Sequence, residues 1–212
     1  MRRALALLVV LVVLTAGCSG GGSDGGDGPI VASASPATID EAVLAETGYE
    51  RVLATNETHN TSFTLTIQGD VQANPTFEVR ATVHRAVYRR SLDGGSATVA
   101  LLSVPTVKPS EQLASRIDPF RARTPAETAA NATGADVSGL RHRDNRTVTV
   151  LGNETTMRLF DGTVARDGAA VDATVGVATV RDGTDAVTVV VVTPRGADER
   201  AAVDRLLAGV RH

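Results

Sequence analysis

Four segments rich in β-branched residues follow one another in the last third of the chain, and only short turns separate them. The segments read RTVTVLG, ETTMRLF, AAVDATVGVATV and AVTVVVVT, and the turns between them contain GN, RDG and RDG. Strands joined by such short turns pair antiparallel, because a parallel pair needs a crossover of a dozen or more residues. The run 187–192, apolar except for Thr188, predicts a central strand that is covered on both faces.

Strand patterning is also present earlier in the chain. Apolar and polar residues alternate at 63–68 and again at 77–83. The LDGGS turn at 92–96 connects the second of these segments to a further strand at 97–104. Alternation with a period of two indicates strands that bury one face. These segments add three strands to the predicted sheet.

Helix signals are found at the start, in the middle and at the end of the domain. The segments that carry them are 39–47, PSEQLASRI, TPAETAAN and 197–209. Thr38 with Glu41, and Thr124 with Glu127, have the spacing of a capping box, and Gly48 lies where the first helix would end. Together with the strands, this order predicts an α+β domain in which N-terminal and C-terminal helices pack on an antiparallel sheet.

Cys18, the only cysteine of the chain, follows a secretory signal. Arg2 and Arg3 precede a nearly unbroken Ala/Leu/Val run at 4–16, which is shorter than the about 20 residues that a membrane-spanning helix needs. The sequence TAGC resembles the lipobox of prokaryotic lipoproteins, in which the cysteine is alkylated by a lipid and becomes the new N-terminus. We therefore expect a lipid on Cys18 that anchors the exported protein to the outer face of the cytoplasmic membrane. The general secretory and twin-arginine export routes both remain open.

The chain divides into three parts: a signal peptide at 1–17, a lipidated tether at 18–34 and a single globular domain at 35–212. Residues 19–28 are only Gly, Ser and Asp, a composition typical of a flexible linker.

Removal of the signal peptide leaves a formal charge of −5. This mild acidity argues against nucleic-acid binding, which needs clustered cations.

Two stretches resemble a known family. SPATIDEAVLAETGYE and VTVLGNETTMRLF are similar to the most recognisable parts of an uncharacterised family of haloarchaeal lipoproteins. The sole lysine, Lys108, among 21 basic residues agrees with the arginine bias of such proteins. A weaker likeness in the order of elements, ending in a strand, TPRG and an amphipathic helix, is to the photosystem II extrinsic PsbP subunit and related exported lipoproteins. Both resemblances imply a surface accessory domain, and neither supplies catalytic residues.

The predicted globular domain, 35–212, contains no familiar catalytic or metal-binding motif. HxH, HExxH and DxD spacings are absent from it, and so are a P-loop, GxSxG and GxGxxG, of which the last two match only within the Gly-rich stretch 17–25. Of the histidines, His212 is terminal, His59 is predicted in a polar loop, His84 on the polar face of a strand, and His142 within LRHRDNR. We therefore expect no catalytic residue, no metal and no cofactor.

Two arginine-rich stretches, 79–90 and 140–146, are candidate anion sites. The planar guanidinium fork of arginine suits carboxylate and phosphate. Arg80, Arg141 and Arg143 are the candidate contacts. The alternative interpretation is a solvated strand face and a solvated loop.

Asparagine carries a more specific pattern. Five of the six asparagines begin an N-x-S/T sequon, where chance would give about one. The candidate N-glycosylation sites are Asn56, Asn60, Asn131, Asn145 and Asn153. Exported archaeal proteins can carry N-glycans at this motif, although turns and strands also collect Asn and Thr by accident.

These features predict a lipid-anchored cell-surface lipoprotein that is a non-enzymatic accessory or binding domain. Its expected partners are the membrane, through the lipid on Cys18, and another envelope protein. One alternative is a hydrolase or transferase whose active-site residues are dispersed along the chain. Another is a structural component of the envelope. The sequence indicates no oligomeric state.

Overall fold

Long strands dominate the fold, which is described by a computed structural model for residues 29–64, 76–93, 95–106, 124–166 and 169–212. Strands account for 68% of these residues. They are β1 (Ile30–Ser33), β2 (Thr38–Ile39), β3 (Glu50–Thr64), β4 (Thr76–Leu92), β5 (Gly95–Pro105), β6 (Asp136–Val150), β7 (Asn153–Arg166), β8 (Ala169–Asp182), β9 (Asp185–Pro194) and β10 (Val210–Arg211). The described helices are α1 (Glu41–Thr47), α2 (Pro125–Thr133) and α3 (Arg200–Ala208).

Eight of the strands form one mixed sheet. Across the sheet the order is β3, β4, β5, β9, β8, β7 and β6, with every neighbouring pair antiparallel. One edge of β4 pairs with β3. Its other edge pairs with β5 through residues 84–92 and with the short parallel strand β1 through residues 79–82. Strands β2 and β10 form a separate two-stranded pair. Among the described strands, β3 and β6 therefore lie at the two edges of the large sheet.

The tight turns predicted from the sequence connect neighbouring strands. Leu151 and Gly152 join β6 to β7, and both have positive φ, 52° and 72°. Two consecutive residues with positive φ characterise the type I′ turn, whose twist matches that of paired strands. Gly183, at φ 57°, lies in the equally short connection between β8 and β9. The antiparallel pairing expected for this part of the chain is confirmed.

Apolar clusters cover both faces of the sheet. The front face carries Ala86, Leu101, Met157 and Val189, and the back face carries Val87, Ala100, Phe160 and Val190. Residues Val203, Leu206 and Leu207 of α3 join the front cluster, and Ala129 and Ala132 of α2 join the back cluster. Strand β9 lies at the centre of the sheet and is buried on both sides. The predicted central strand is confirmed.

The predicted α+β class, with helices packed on an antiparallel sheet, is wrong. The domain is mostly β, with one large mixed sheet and three short helices among the described residues. Polar stretches interpreted as loops are strands: His59 lies in β3, and the LRHRDNR stretch lies in β6. Both are edge strands, which need only one hydrogen-bonded neighbour and tolerate charged side chains. The polar composition of these two stretches therefore did not indicate that they are strands.

The helix predictions have mixed outcomes. The capping box of Thr124 and Glu127 at α2 is confirmed. The box at Thr38 is wrong, because Thr38 belongs to β2 and Asp40 caps α1 instead. Gly48 ends α1 in the left-handed conformation, as expected. The last helix is shorter than predicted, spanning Arg200–Ala208, and the predicted helix PSEQLASRI lies outside the described residues.

Candidate functional site

A cleft of about 370 Å³ opens on the front face between strands β6–β9 and the start of α3. Four arginines line it: Arg143 and Arg146 from β6, Arg195 from the turn after β9, and Arg200 from α3. We call it the arginine cleft. Its walls come from segments that are distant in the sequence, so a scan for local motifs could not reveal it.

Two Arg–Asp–Arg bridges hold the guanidinium groups of the arginine cleft. Asp161 contacts Arg143 at 3.3 Å and Arg195 at 3.9 Å, and Asp204 contacts both Arg146 and Arg200. Arg195 also lies 3.8 Å from the carboxylate of Asp172. Each guanidinium has five N–H donors, so pairing with aspartate leaves donors for a ligand. The aspartates therefore draw the four arginines together without using all of their hydrogen-bonding capacity, and Arg146, at 17% exposure, is the most buried of the four.

Two backbone irregularities place these arginines. The β6–β7 pairing shifts register between His142 and Asp144, which leaves Arg143 as the extra residue of a bulge. Bulges redirect side chains and are common beside functional sites. After β9 the chain turns through Gly196, at φ 85°, a conformation that glycine adopts without the usual steric cost. Arg195 itself extends the β8–β9 pair, since its N–H donates to the carbonyl of Asp172 at 2.9 Å. The turn that follows leads the chain towards α3, which carries Arg200.

The inner wall of the cleft contains a buried carboxylate. Glu199, only 6% exposed, accepts a hydrogen bond from the hydroxyl of Tyr49 at 3.1 Å and one from Arg90 at 3.3 Å. Burial raises the pKa of the Tyr49 phenol well above its usual range, and the adjacent Glu199 charge raises it further. The network connects the residue after α1, strand β4 and the start of α3. It therefore fixes the position of α3 above the cleft.

The raised pKa of Tyr49 predicts a loss of stability at alkaline pH. Above about pH 10 the unfolded chain loses the tyrosine proton while the folded chain keeps it, so the free energy of unfolding falls by about 1.4 kcal/mol per pH unit. Below pH 10 both states hold the proton and no effect is expected. The Tyr49→Phe variant should show a smaller alkaline slope in urea unfolding, with some slope remaining because the pKa of Tyr88 is raised as well. Parallel pH profiles for the variant and the wild type would contradict this account.

A second polar cluster surrounds His212. Its Nδ1 lies 2.9 Å from the carboxylate of Asp182, and its Nε2 lies 3.0 Å from the hydroxyl of Ser103 and 3.3 Å from the carboxylate of Asp185. The backbone carbonyl of Ser35 also lies 3.2 Å from Nε2, and the N–H of Ser35 donates to Asp185 at 2.7 Å. Serine, histidine and aspartate are thus arranged in the atomic order of a hydrolytic triad.

Two features argue that this cluster has a structural role. A triad histidine accepts the serine proton at Nε2. Here Nε2 also faces the carboxylate of Asp185 and the carbonyl of Ser35, and an ionised carboxylate and a carbonyl only accept hydrogen bonds, so these contacts favour Nε2 as a donor. Ser103 is in addition completely buried, which leaves no approach for a substrate carbonyl. The cluster instead connects β5, the β8–β9 turn and the segment after β1 through the side chain of His212.

The three predicted anion contacts do not form one site. Arg80 lies on β4 and donates to Asn60 at 3.2 Å, while Arg141 and Arg143 lie on β6. Five strand spacings separate β4 from β6, which is about 24 Å in a flat sheet. Of the three, only Arg143 lines the arginine cleft. The sequence interpretation missed Arg146, Arg195 and Arg200, although Arg146 stands in the same basic stretch.

The candidate modification sites lie in different parts of the chain. Asn56 and Asn60 lie in β3, Asn145 in β6, Asn153 at the start of β7, and Asn131 in α2. Three of the five sequons therefore lie on the two edge strands. Cys18, with the signal peptide and residues 18–28 of the tether, lies outside the described residues.

The described residues contain neither a candidate metal site nor a membrane-spanning helix. No group of three or more His, Cys, Asp or Glu side chains in that part of the chain could hold a metal ion. None of its helices combines the length and the apolar character needed to cross a bilayer.

Comparison with known proteins identifies one family. The sequence model of a domain of unknown function, DUF6517, matches residues 36–211. No curated protein matches the chain. The matched region contains the whole large sheet apart from β1, and it includes all four arginines of the arginine cleft.

Proposed function

The chain belongs to the DUF6517 family of domains of unknown function, and we propose that it is an exported, lipid-anchored domain that binds another envelope protein without converting a substrate. The arginine cleft carries the binding part of this proposal. Its four guanidinium groups converge from three segments and are held by aspartates. Converging arginines suit acidic and polar groups of a partner, because their planar guanidinium groups present several donors to carboxylate oxygens.

The location is supported by the sequence. Arg2 and Arg3, the short apolar run and TAGC are typical of a lipoprotein signal, and the lipid on Cys18 would hold the domain at the outer face of the cytoplasmic membrane. The arginine bias and the two family-like stretches support a haloarchaeal origin. The likeness to PsbP-type domains depends on the strand–TPRG–helix order alone and supports only an accessory role. We further propose that one or more of the five sequons carry an N-glycan.

The experiment is affinity capture with the full chain in detergent, mixed with solubilised membranes of the host. The cleft variant is Arg143→Gln/Arg195→Gln. The control is Arg89→Gln/Arg181→Gln, which removes the same charge from exposed positions outside the cleft. Wild type and control should retain the same partner, and the cleft variant should lose it by about tenfold or more, because charge-assisted hydrogen bonds contribute about 1.5–3 kcal/mol each. Exposed ion pairs contribute little to stability, so all three chains should fold.

The rival functions give different results in the same set of chains. A parallel screen of esters, phosphates and peptides tests for turnover. Reproducible turnover that one point mutation abolishes, with no partner recovered, would favour the hydrolase or transferase. Equal capture by the wild type, the cleft variant and the control would contradict binding at the arginine cleft and would favour a structural role in the envelope.

A further inference from the structure

A second cleft, of about 570 Å³, opens on the front face between strands β3 and β4 and the segment 36–38. We call it the β3–β4 cleft. Its lining includes the guanidinium-bearing Arg51, the imidazole of His84, the amide of Asn56 and the hydroxyl of Thr38. No aspartate or glutamate of the described residues lines it, and Ala54 and Ala86 form part of its apolar floor. The cleft thus combines cationic and neutral polar groups with apolar surface.

A β-bulge places Arg51 at this cleft. The pairing of β3 with β4 matches Ala54 with Ala86 and Leu53 with Val87, but then matches Arg51 with Tyr88, so that Val52 is the extra residue. Without the bulge, Val52 would lie opposite Tyr88, on the front face. The irregularity therefore brings an arginine to the cleft in place of a valine and leaves Val52 exposed. Exposure of the apolar Val52 side chain does not stabilise the fold, so the bulge has no evident benefit for folding.

The pairing of β3 with β4 places further polar side chains on the front face, beside Arg51. Asn56 lies opposite His84, two residues from the Ala54–Ala86 pair, so these side chains and Arg51 share the front face. Thr58 and Thr82 follow on this face, and their hydroxyls lie 3.0 Å apart. Arg51, Asn56 and His84 therefore line one wall of the β3–β4 cleft, and the Thr58–Thr82 pair continues this polar face beyond it.

The charge of this cleft is not balanced by its own lining. In the arginine cleft every guanidinium contacts an aspartate. Within the part of the chain that the structure describes, Arg51 has no ion pair. An unpaired arginine in a concave site, on a mature chain with formal charge −5, is a local exception to the overall acidity. Oxyanions are the ligands that guanidinium groups bind best.

We propose that the β3–β4 cleft binds a small ligand through a phosphate or carboxylate group. Arg51 would hold the oxyanion with its planar fork, and His84 and Asn56 would donate further hydrogen bonds. Asn56 also begins a sequon, so a glycan attached there would fill the same space and exclude the ligand. The proposal is independent of the arginine cleft, with which the β3–β4 cleft shares no lining residue, and holds whether or not a protein binds there.

The test is a titration of the full chain, produced in a bacterial host that adds no N-glycans and purified in detergent. Inorganic phosphate and acetate are titrated separately at low ionic strength, and backbone amide NMR shifts of β3 and β4 report binding. The Arg51→Gln variant should bind the preferred anion about tenfold or more weakly, since a hydrogen bond to a charged group is lost. The matched control is Arg89→Gln, which removes the same charge from the neighbouring exposed position on the back face.

The two probes also identify the ligand chemistry. Saturable shifts with phosphate indicate a phosphate-bearing ligand, and saturable shifts with acetate indicate a carboxylate. Binding that Arg51→Gln weakens and Arg89→Gln leaves unchanged supports the proposal. Absence of saturable shifts with both probes, or an equal loss in both variants, would overturn it, because the cleft would then contribute nothing beyond net charge. Circular dichroism confirms that both variants fold.

Discussion

Serine in place of Cys18 should release the protein from the membrane into the medium, or leave an unprocessed precursor. The thiol is the atom to which a lipid can be attached, and a hydroxyl is a much poorer nucleophile for that alkylation. Two lipid chains give stable anchoring, whereas a single acyl chain gives only marginal binding, so complete loss of the lipid changes the distribution almost entirely. Fractionation of cells that express each chain, followed by immunoblotting, measures this effect.

The neighbouring Ser19→Ala variant is the control for this prediction. It changes the same Gly/Ser segment but leaves the thiol in place, so it should remain with the membrane. Membrane retention of Cys18→Ser together with normal processing would show that something else holds the protein. A Gly/Ser/Asp linker of about ten residues is expected to span on the order of 17 Å, so the proposed lipid would keep the folded domain close to the bilayer.

Alanine in place of His212 should cost about 2–4 kcal/mol of unfolding free energy. The imidazole is the shared partner of Ser103, which is 0% exposed, and Asp185, which is 4% exposed. Its removal leaves both groups buried with fewer hydrogen bonds, at about 1–3 kcal/mol for each unsatisfied group. For a domain of this size the melting temperature should fall by about 5–15 °C. Chemical and thermal unfolding monitored by circular dichroism provide the measurement.

His59→Ala is the matched control for His212→Ala. His59 is half-exposed and lies 3.7 Å from the exposed carboxylate of Glu57. Surface substitutions of this kind change stability by about 0.5 kcal/mol or less. Equal stability of His212→Ala and His59→Ala would show that the His212 cluster does not hold the fold together.

Local patterns predicted the centre of the fold better than its edges. Valines at 187–192 indicated a central strand because burial on both faces imposes apolar residues at successive positions. The capping box of Thr124 and Glu127 involves two residues only three positions apart, so the local sequence was sufficient to predict it. Only the ends of the edge strands, at 63–64 of β3 and 146–150 of β6, were recognised in this way, since the polar residues on both faces of the remaining parts carry no period. The large share of strand was therefore underestimated.

The candidate sites were harder to predict for a related reason. Arg143 was recognised because several basic residues are close together in LRHRDNR. Arg195 lines the arginine cleft only because β9 pairs with β8, and Arg200 does so only because the chain turns at Gly196. The exchange of Val52 for Arg51 at the β3–β4 cleft depends on a bulge, and a one-residue change of register moves a side chain to the other face. His212 contacts Ser103 across 109 residues. None of these placements follows from the spacing of residues in the sequence.

Crosslinking in living cells tests most directly the proposal that the domain binds a protein through the arginine cleft. A photoreactive residue replaces Arg200 at the rim of the cleft in one chain and the exposed Val171, outside the cleft lining, in another. After irradiation of intact cells at native salt, the chain modified at position 200 should form one discrete adduct of higher mass, and the chain modified at position 171 should not. Adducts of equal yield from both positions, or no adduct from position 200, would contradict partner binding at the arginine cleft.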